Sequence, residues 1–407
     1  MNTSLYIAKR YLFSKKSVNA INFISGISML GVFVGSAALI IILSVFNGFE
    51  TLILSMYDTF TPEIRIEPAS GKTFNPNTAY LTSLKKDSRV ANFSEVLEEK
   101  ALLRYGDAQY IGLVKGVSDN FFKTKQLDSV VLQGYALVKS EGQEFAVIGS
   151  SVQNYLSVNI KDQFRDIEIY SPKKGSQNSI NPAEEFTIQT IHPVGVFEAQ
   201  QQFNDMVIVP INFARTLLNE EKNLTVIELN FITGTDILNV QKEIVKNLGK
   251  NFVVKNRSQQ NANLYKILHT EKWAIYLILT FVLIIAIFNI IGSLTMLVID
   301  KQKDIAILSS LGAGKNLIRG IFFIEGMMIS MIGCIVGMAV GLGFCLVQQH
   351  FGLIRMGGEN LITKYYPVTL KATDSLLVFS TVIIVSLLAS SISSRLSVKD
   401  ISLKGDL

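Results

Sequence analysis

The sequence predicts an α-helical membrane protein with four transmembrane helices and a large α+β extracytoplasmic domain between helices 1 and 2. The 407 residues are 49% hydrophobic and 17% charged, with a mean hydropathy of +0.34, whereas soluble domains have about a quarter charged residues. Four stretches of spanning length contain no charged residue, namely residues 17–49, 273–299, 326–351 and 375–394. The long region between the first two stretches has the alternating polarity of strands.

These patterns divide the chain into consecutive predicted segments. They are an amphipathic helix (1–16), the first transmembrane helix with a stalk (17–60), the α+β domain (61–257), a stalk with the second transmembrane helix (258–299), a cytoplasmic coupling helix (300–318), the third transmembrane helix (319–348), a loop (349–373), the fourth transmembrane helix (374–396) and a tail (397–407).

The first segment has Leu5, Ala8 and Leu12 on one side and basic residues on the other, which predicts a helix on the membrane surface. The apolar run that follows is too long for a cleaved signal, so it is predicted to remain as an anchor. Helical apolar spacing continues as far as Pro62 and resumes at Leu264. Two helices are therefore predicted to project about 20 Å beyond the bilayer as a stalk.

The region between the stalks is predicted to be an α+β domain whose fold rests on a packed core, because it contains no cysteine. Alternating apolar residues predict strands at 64–67, 145–148, 166–170, 186–189, 206–209 and 226–229. Helical spacing predicts helices at 151–156, 212–218 and 236–248. The polar segment 171–182, rich in proline, glycine, serine and asparagine, is predicted to be a protruding connection between two strands.

Lysine and arginine near the ends of the spans predict the orientation. They are concentrated in the N-terminal arm, in the loop 301–319 and in the C-terminal tail, as Lys9, Arg10, Lys15, Lys16, Lys301, Lys303, Lys315, Arg319, Arg395, Lys399 and Lys404. Both termini and this loop are therefore predicted to be cytoplasmic, and the α+β domain is predicted to be exported.

The sequence contains no motif for catalysis, metal binding or nucleotide binding. The segment 309–316 looks like a phosphate-binding loop, but Ser309 replaces its first glycine and Asn316 its final Ser or Thr. Cys334 and Cys345 would be ~16 Å apart on one helix, too far for a disulfide. We therefore predict no catalytic residue, no metal site and no cofactor in this chain.

Two features inside the spans have more than one interpretation. Small residues recur at four-residue spacing, which lets helix backbones approach closely, at Gly31, Gly35, Gly333, Gly337 and Gly341. These rows could pack within one subunit or between two subunits. A carboxylate stands about one turn into the third span, and it is either solvated at the interface or in contact with a cytoplasmic partner; it belongs to Glu325.

A short amphipathic helix is wedged between the second and third spans, where it can serve as a knob for a soluble partner. Lys303 and Asp304 stand at its entrance, and Ile305, Leu308 and Leu311 recur along one face. Glycines at 312 and 314 are predicted to end the helix. The predicted coupling residues are Lys303, Asp304, Ile305, Leu308, Leu311, Gly312 and Ala313.

Several stretches resemble one family of transport proteins. The sequence FNIIGSLTMLVIDKQKDIAILSSLGA (288–313) is the most specific, and FISGISMLGVFVGSAALIIILSVFNGFE (23–50) and HPVGVFEAQQQFNDMVIVP (192–210) add to it. They resemble ABC-transporter permeases of the FtsX/MacB superfamily, and most closely the lipoprotein-releasing (Lol) branch. The resemblance covers nearly the whole chain.

The resemblance implies a permease in the inner membrane of a Gram-negative bacterium that extracts lipoproteins for transfer to the outer membrane. The implied partners are a cytoplasmic ABC ATPase dimer that binds ATP and Mg²⁺, a second permease subunit (a second copy or a paralogue), lipoprotein substrates and a periplasmic lipoprotein carrier, with no nucleic acid. Acyl chains would enter around Leu43, Phe46 and Phe49. The coupling helix and the stalks would transmit motion.

In well-known members of this family, one of two paired permeases uses a hairpin hook to catch the carrier, and residues 171–182 lie at the corresponding place, though here they are polar and carry lysines. The candidate carrier-contacting residues are Pro172, Lys173, Lys174, Ile180 and Pro182. Two alternatives to lipoprotein release are a MacB-like efflux or secretion permease and an FtsX-like permease that regulates cell-wall hydrolysis.

Overall fold

The computed structural model describes residues 3–13, 20–58, 60–119, 121, 130–173, 185–357 and 363–402. The helices in this part of the chain are α1 (Thr3–Phe13), α2 (Ala20–Asp58), α3 (Ala79–Leu84), α4 (Ser150–Leu156), α5 (Ile211–Leu218), α6 (Ile237–Leu248), α7 (Arg257–Gln260), α8 (Ala262–Asp300), α9 (Gln302–Ser310), α10 (Lys315–Phe351) and α11 (Ala372–Ser402). The strands are β1 (Ile64–Pro68), β2 (Val90–Tyr105), β3 (Ala108–Val117), β4 (Val131–Gly134), β5 (Lys139–Ser140), β6 (Gln143–Gly149), β7 (Ile167–Pro172), β8 (Phe186–Phe197), β9 (Met206–Pro210), β10 (Val226–Phe231) and β11 (Phe252–Asn256).

The chain divides into two compact units. The helical unit contains Met1–Leu52 and Lys266–Leu407, and the α+β unit contains Ile53–Tyr265. The division falls inside α2 and inside α8, so these two helices supply residues to both units.

Four helices of the described chain are long and apolar enough to cross a membrane: Ser25–Tyr57, Ala262–Asp300, Lys315–Phe351 and Ala372–Arg395. Buried apolar residues from all four form one core in the helical unit, with Val32, Leu283, Ile329 and Val378 among its members. A second, smaller core surrounds the start of α9. α1 packs against α10, where Gly320 leaves room for Ser4.

The α+β unit is built on one mixed sheet. The strand order in the described residues is β11-β1-β10-β2-β3-β9-β6-β8-β4, with β5 beside β6 and with β7 between β2 and β8. The pairs β3–β9 and β6–β8 are parallel, and the other pairs are antiparallel. α3 and α6 cover the apolar face of β1, β10 and β11, whereas α4 and α5 cover the strands at the other end.

The predicted strands and helices of the α+β domain are confirmed, with small differences at most of their ends. The exception is β8, which was predicted at 186–189 and continues to Phe197. The strands β2, β3, β4, β5 and β11 were not predicted. β2 and β3 form a hairpin in which Tyr105 pairs with Ala108, and Gly106 adopts a φ of +62° in the turn. The Gly-Asp pair between two β-rich runs is the signal that could have identified this hairpin.

In the helical unit, α10 begins at Lys315, within the segment predicted as the coupling helix, and α11 continues to Ser402, within the predicted tail. Helix boundaries in an apolar chain follow the backbone hydrogen bonds rather than the first charged residue, so charge-free runs locate them only roughly. Cys334 and Cys345 are both free, which confirms that they form no disulfide.

Candidate functional site

The predicted coupling helix is a separate short helix, α9, between α8 and α10. Leu311 closes it, and Gly312 follows with a φ of +93°, a conformation that glycine adopts without strain. The amide of Ala313 donates to the carbonyl of Leu308 at 2.9 Å, the bond of a Schellman motif. The prediction that glycines end this helix is confirmed.

The structure revises the role predicted for Ile305. Its side chain is 3% exposed and packs in the small core with Leu297, Val298, Ile318 and Phe322. A side chain buried inside its own chain offers no surface to a partner, so Ile305 anchors α9 instead. Leu308 is half-buried, and its contact with a partner stays a prediction.

A second apolar face of α9 points outward. Leu311, which was predicted to share a face with Ile305, belongs to this outward face. Ile307 is 60% exposed and Leu311 is 80% exposed, and both lie on the side of the exposed Lys303 at i, i+4 and i+8. Asp304 is half-buried and lies 3.8 Å from the amine of Lys301. Ile307 was therefore missed, because its four-residue spacing from Leu311 does not by itself distinguish an exposed apolar face from a buried one.

The glycine rows lie inside the helical unit. An added Cβ on Gly333 or Gly341 of α10 would come within 2.7 and 3.1 Å of carbonyl oxygens of α2, and one on Gly337 would overlap the α2 backbone. Gly31 and Gly35 of α2 lie against α8, where an added Cβ would be 3.4 Å from Ala286 Cβ and 2.8 Å from Leu283 Cδ1, respectively. Of the two interpretations of these rows, the contacts support packing within one chain.

Both interpretations offered for Glu325 are wrong. Its side chain is 1% exposed, so it is neither solvated nor available to a partner, and its Oε2 has no hydrogen-bond partner among the described residues. Gly326, the next residue, lies against Ser390 of α11 and Leu294 of α8. The Glu325 side chain is therefore buried inside the helical unit. The pattern of a single sequence does not distinguish such a position from one at the surface.

The three residues predicted to meet acyl chains differ in exposure. Leu43 is 1% exposed and belongs to the core of the helical unit. Phe46 and Phe49 are half-buried. The rings of Phe49 and Tyr366 pack edge to face, with their centroids 5.9 Å apart. Only the two phenylalanines present surface outside the chain's own core, and the acyl-chain contact stays a prediction for them.

The candidate carrier-contacting segment lies between two paired strands. β7 and β8 are antiparallel, Pro172 pairs with Phe186, and the amide of Lys173 donates to the carbonyl of Glu185 at 2.7 Å. Lys174, Ile180 and Pro182 lie outside the described residues.

One face of the sheet in the α+β unit carries a ladder of charged side chains. Lys115 and Glu228 are 3% and 1% exposed and form an ion pair between β3 and β10. Their neighbours line a cleft of about 320 Å³ with Phe60 and Phe203 on its apolar side. The ladder consists of Arg65, Glu67, Glu98, Lys115, Glu228 and Lys255.

The ladder shifts the pKa of two of its members, Arg65 and Glu67. Burial alone would lower the pKa of Arg65, but the carboxylates of Glu98 and Glu228 raise it above the usual value. Burial alone would raise the pKa of Glu67, but hydrogen bonds from Lys255 and Arg65 lower it. Arg65 and Glu67 are therefore both charged at neutral pH, and each lies beside a side chain of opposite charge.

No cluster of three or more His, Cys, Asp or Glu side chains that could hold a metal ion occurs in the described part of the chain. His192 contacts Asp166 through Nδ1 at 3.0 Å at the surface of the α+β unit.

Comparison with known families and proteins adds to this geometry. Residues 25–247 match the family described as the MacB-like periplasmic core domain, and residues 276–402 match the FtsX-like permease C-terminal family.

Among curated proteins, the chain is 28% identical over 359 residues to the lipoprotein-releasing system transmembrane protein LolC of Buchnera aphidicola, covering 85% of this chain and 84% of that protein. It is 25% identical over 406 residues to the lipoprotein-releasing system transmembrane protein LolE of Haemophilus influenzae, covering 96% and 95%. A crystal structure of the periplasmic region of MacB from Actinobacillus actinomycetemcomitans is 13% identical with a TM-score of 0.36, covering 50% of this chain and 92% of that one.

Proposed function

The chain belongs to the family that has the MacB-like periplasmic core domain, followed here by the FtsX-like permease C-terminal region, and from this premise we propose that it is the permease subunit of a lipoprotein-releasing ABC transporter. In this proposal it extracts lipoproteins from the inner membrane of a bacterium for transfer to the outer membrane. It is a multi-pass membrane protein with an α+β extracytoplasmic domain.

The observation that carries the proposal is the length of the match. Relatives named as lipoprotein-releasing permeases align with 85% and 96% of the chain, across both units. A MacB-like pump or an FtsX-like signalling protein would share the superfamily regions, but the full-length similarity favours lipoprotein release over both alternatives.

Mechanical coupling follows from the outward face of α9. A partner ATPase would bind ATP and Mg²⁺, and its closure would move Lys303, Ile307 and Leu311, while Ile305 fixes α9 to α8 and α10. α2 and α8 would carry this motion onward, because each supplies residues to both units. Apolar side chains in such a contact stabilise assembly by leaving water.

The surroundings of the transporter are also part of the proposal. Lysine and arginine near the span ends favour cytoplasmic termini and a periplasmic α+β domain. The exposed apolar residues of α8, including Ile278, Phe281 and Ile285, favour burial against lipid or a second permease subunit. Residues 171–182 remain the candidate contact for a carrier.

The experiment replaces the native copy of the permease by variants and measures lipoproteins in separated inner and outer membranes. Ile307→Asp places a charge at the ATPase contact, so it should abolish co-purification of the ATPase and leave lipoproteins in the inner membrane. Gln302→Asp is the matched control, because Gln302 is exposed and polar on the same helix. It should behave like the unaltered protein.

Depletion of the whole permease provides the decisive comparison. If outer-membrane lipoproteins stayed at normal levels after depletion, lipoprotein release would be excluded. If Ile307→Asp retained full ATPase binding while Ile305→Asp lost it without loss of folded protein, the outward face of α9 would be wrongly assigned.

A further inference from the structure

Three polar side chains from three different helices meet at one point of the helical unit. They are Asn47 on α2, Lys272 on α8 and Asp374 in the first turn of α11. The Lys272 amine donates to both carboxylate oxygens of Asp374, at 3.0 and 3.1 Å, and to Asn47 Oδ1 at 2.9 Å. The Asn47 amide donates to Asp374 Oδ2 at 2.6 Å. Each of the three side chains therefore contacts the other two.

An asparagine matches this position because its amide offers an acceptor and a donor in opposite directions. Its oxygen faces the Lys272 amine, and its nitrogen faces the Asp374 carboxylate and also reaches the carbonyl of Thr369 at 3.4 Å. Asn47 is 0% exposed, and the side chains of Asp374 and Lys272 are 14% and 24% exposed. Polar groups shielded to this extent are costly unless they are hydrogen-bonded, and here they satisfy one another.

Contacts around the three residues join the same elements. The amide of Thr369, in the segment that precedes α11, donates to the carbonyl of Ser44 on α2 at 2.9 Å. A Cβ on Gly48 would overlap the backbone of that segment. The hydroxyls of Tyr276 and Thr381 lie 2.6 Å apart and connect α8 to α11. The polar contact is therefore part of a larger joint among α2, α8 and α11.

Stability by itself does not account for a shielded ion pair. Replacing such a pair by apolar residues of similar size is often neutral or stabilising, whereas removing one partner is strongly destabilising. What the pair can add is selection of one arrangement of helices over others. The division between the units falls inside α2 and α8, whereas α11 belongs wholly to the helical unit. The pair can therefore select how α2 and α8, which supply residues to both units, pack on α11, which belongs to the helical unit alone.

We propose that Asn47, Lys272 and Asp374 form a polar lock that holds α2, α8 and α11 as one body while the partner ATPase drives transport. The lock makes α2 and α8 move together, so that motion from α9 is not lost by one helix sliding past the other. The three are positioning residues and touch no substrate. The role in transport rests on the proposed function, but the lock itself can be tested without it.

The first test is thermal unfolding of the purified full-length protein, followed through Trp273, the single tryptophan, which lies on α8. Lys272→Met and Asp374→Asn are compared singly and together. Each single change should lower the unfolding midpoint by about 5 °C or more, because it leaves the other group without its counter-charge. The double variant should lose clearly less than the sum of the two.

A matched control comes from a neighbouring, more exposed pair. Lys371 lies 2.8 Å from Glu50 and its side chain is 41% exposed. Lys371→Met should therefore shift the midpoint by about 1 °C or less. Additive effects of Lys272→Met and Asp374→Asn would overturn the lock, since independent residues have no coupling energy.

The second test measures transport by the complex of permease and ATPase in phospholipid vesicles that contain an acylated lipoprotein. The double variant, in which stability is largely regained, should still hydrolyse ATP at the normal rate. It should release about tenfold less lipoprotein per ATP, which corresponds to roughly 1.4 kcal/mol of lost coupling. A merely structural role predicts that release returns together with stability.

The outcomes separate the two proposals. Normal release per ATP by the double variant would overturn the role of the lock in transport. If the unaltered complex hydrolysed ATP and released no lipoprotein, the proposed function would be contradicted instead, and the thermal comparison would still decide whether the lock exists.

Discussion

Charged side chains are arranged differently in the α+β unit and in the helical unit. In the α+β unit the ladder is redundant, because Glu67 accepts hydrogen bonds from both Arg65 and Lys255. In the helical unit the polar lock of Asn47, Lys272 and Asp374 brings one cation to one carboxylate. Loss of one charged partner should therefore have different consequences in the two units.

A sheet face can exchange one partner for another while its backbone ladder keeps the strands in register. Helices in an apolar environment have no such backbone ladder between them, so their mutual positions depend on a few side chains and on close backbone contacts. We therefore expect loss of one member to be tolerated at the edge of the ladder and to be costly at its buried centre, in the lock and at the glycine contacts.

The largest effect in the α+β unit is expected for Lys115→Met. The change removes the lysine from a carboxylate, Glu228, that is 1% exposed, and it should lower the opening free energy of β3 and β10 by about 3 kcal/mol. Hydrogen exchange on the intact protein measures this strand by strand. Lys255→Met is the matched control: Arg65 still donates to Glu67, so the loss should stay below about 1 kcal/mol. Equal effects of the two changes would contradict a redundant ladder.

The next effect is expected for Gly337→Ala in the helical unit. An added methyl group would overlap the α2 backbone, so α2 and α10 must separate, at a cost of about 1–3 kcal/mol. Gly343→Ala is the control, because nothing lies within 4 Å of its added Cβ. Thermal unfolding followed through Trp273 should show a lower midpoint for Gly337→Ala alone. Equal midpoints for the two variants would show that the close packing is not required.

Element types could be predicted where one periodicity dominates. The strands at 206–209 and 226–229 and the helix at 236–248 have a single apolar face or a short buried run, and the structure places them within a few residues. The exposed face of α9 could not be predicted in this way, because Ile305 and Ile307 are both apolar and differ only in which neighbours α8 and α10 bring to them.

Contacts between distant segments could not be predicted for a related reason. Asn47 stands in an apolar run, and Lys272 and Asp374 border two others, so each reads as an isolated polar residue at a span end. Their meeting depends on how α2, α8 and α11 pack, which no local pattern contains. Glu325 was misplaced in the same way, because depth within a bundle is a property of the whole fold.

Acid should lower the stability of the sheet at the edge of the ladder, around Glu67. The folded state holds the pKa of Glu67 below the ordinary value of 4.5, so its contribution is present above that value and is lost as the pH falls through the lower folded pKa. The opening free energy of β1 and β11, corrected for intrinsic exchange, should decrease between pH 5 and more acid conditions. Glu67→Gln should remove most of that dependence. A dependence that survives the substitution would assign it to another group.

The smallest effect is expected for Lys72→Met, at a surface ion pair outside the ladder. Lys72 lies 2.5 Å from Glu99, but its side chain is 77% exposed, so water and salt screen the attraction and ordering the long side chain offsets what remains. Hydrogen exchange of β2 should change by less than about 0.5 kcal/mol in opening free energy. A loss comparable to that of Lys115→Met would mean that this surface pair and the ladder act as one cooperative network. In that case the ladder would resemble the lock of the helical unit, and redundancy would no longer distinguish the two.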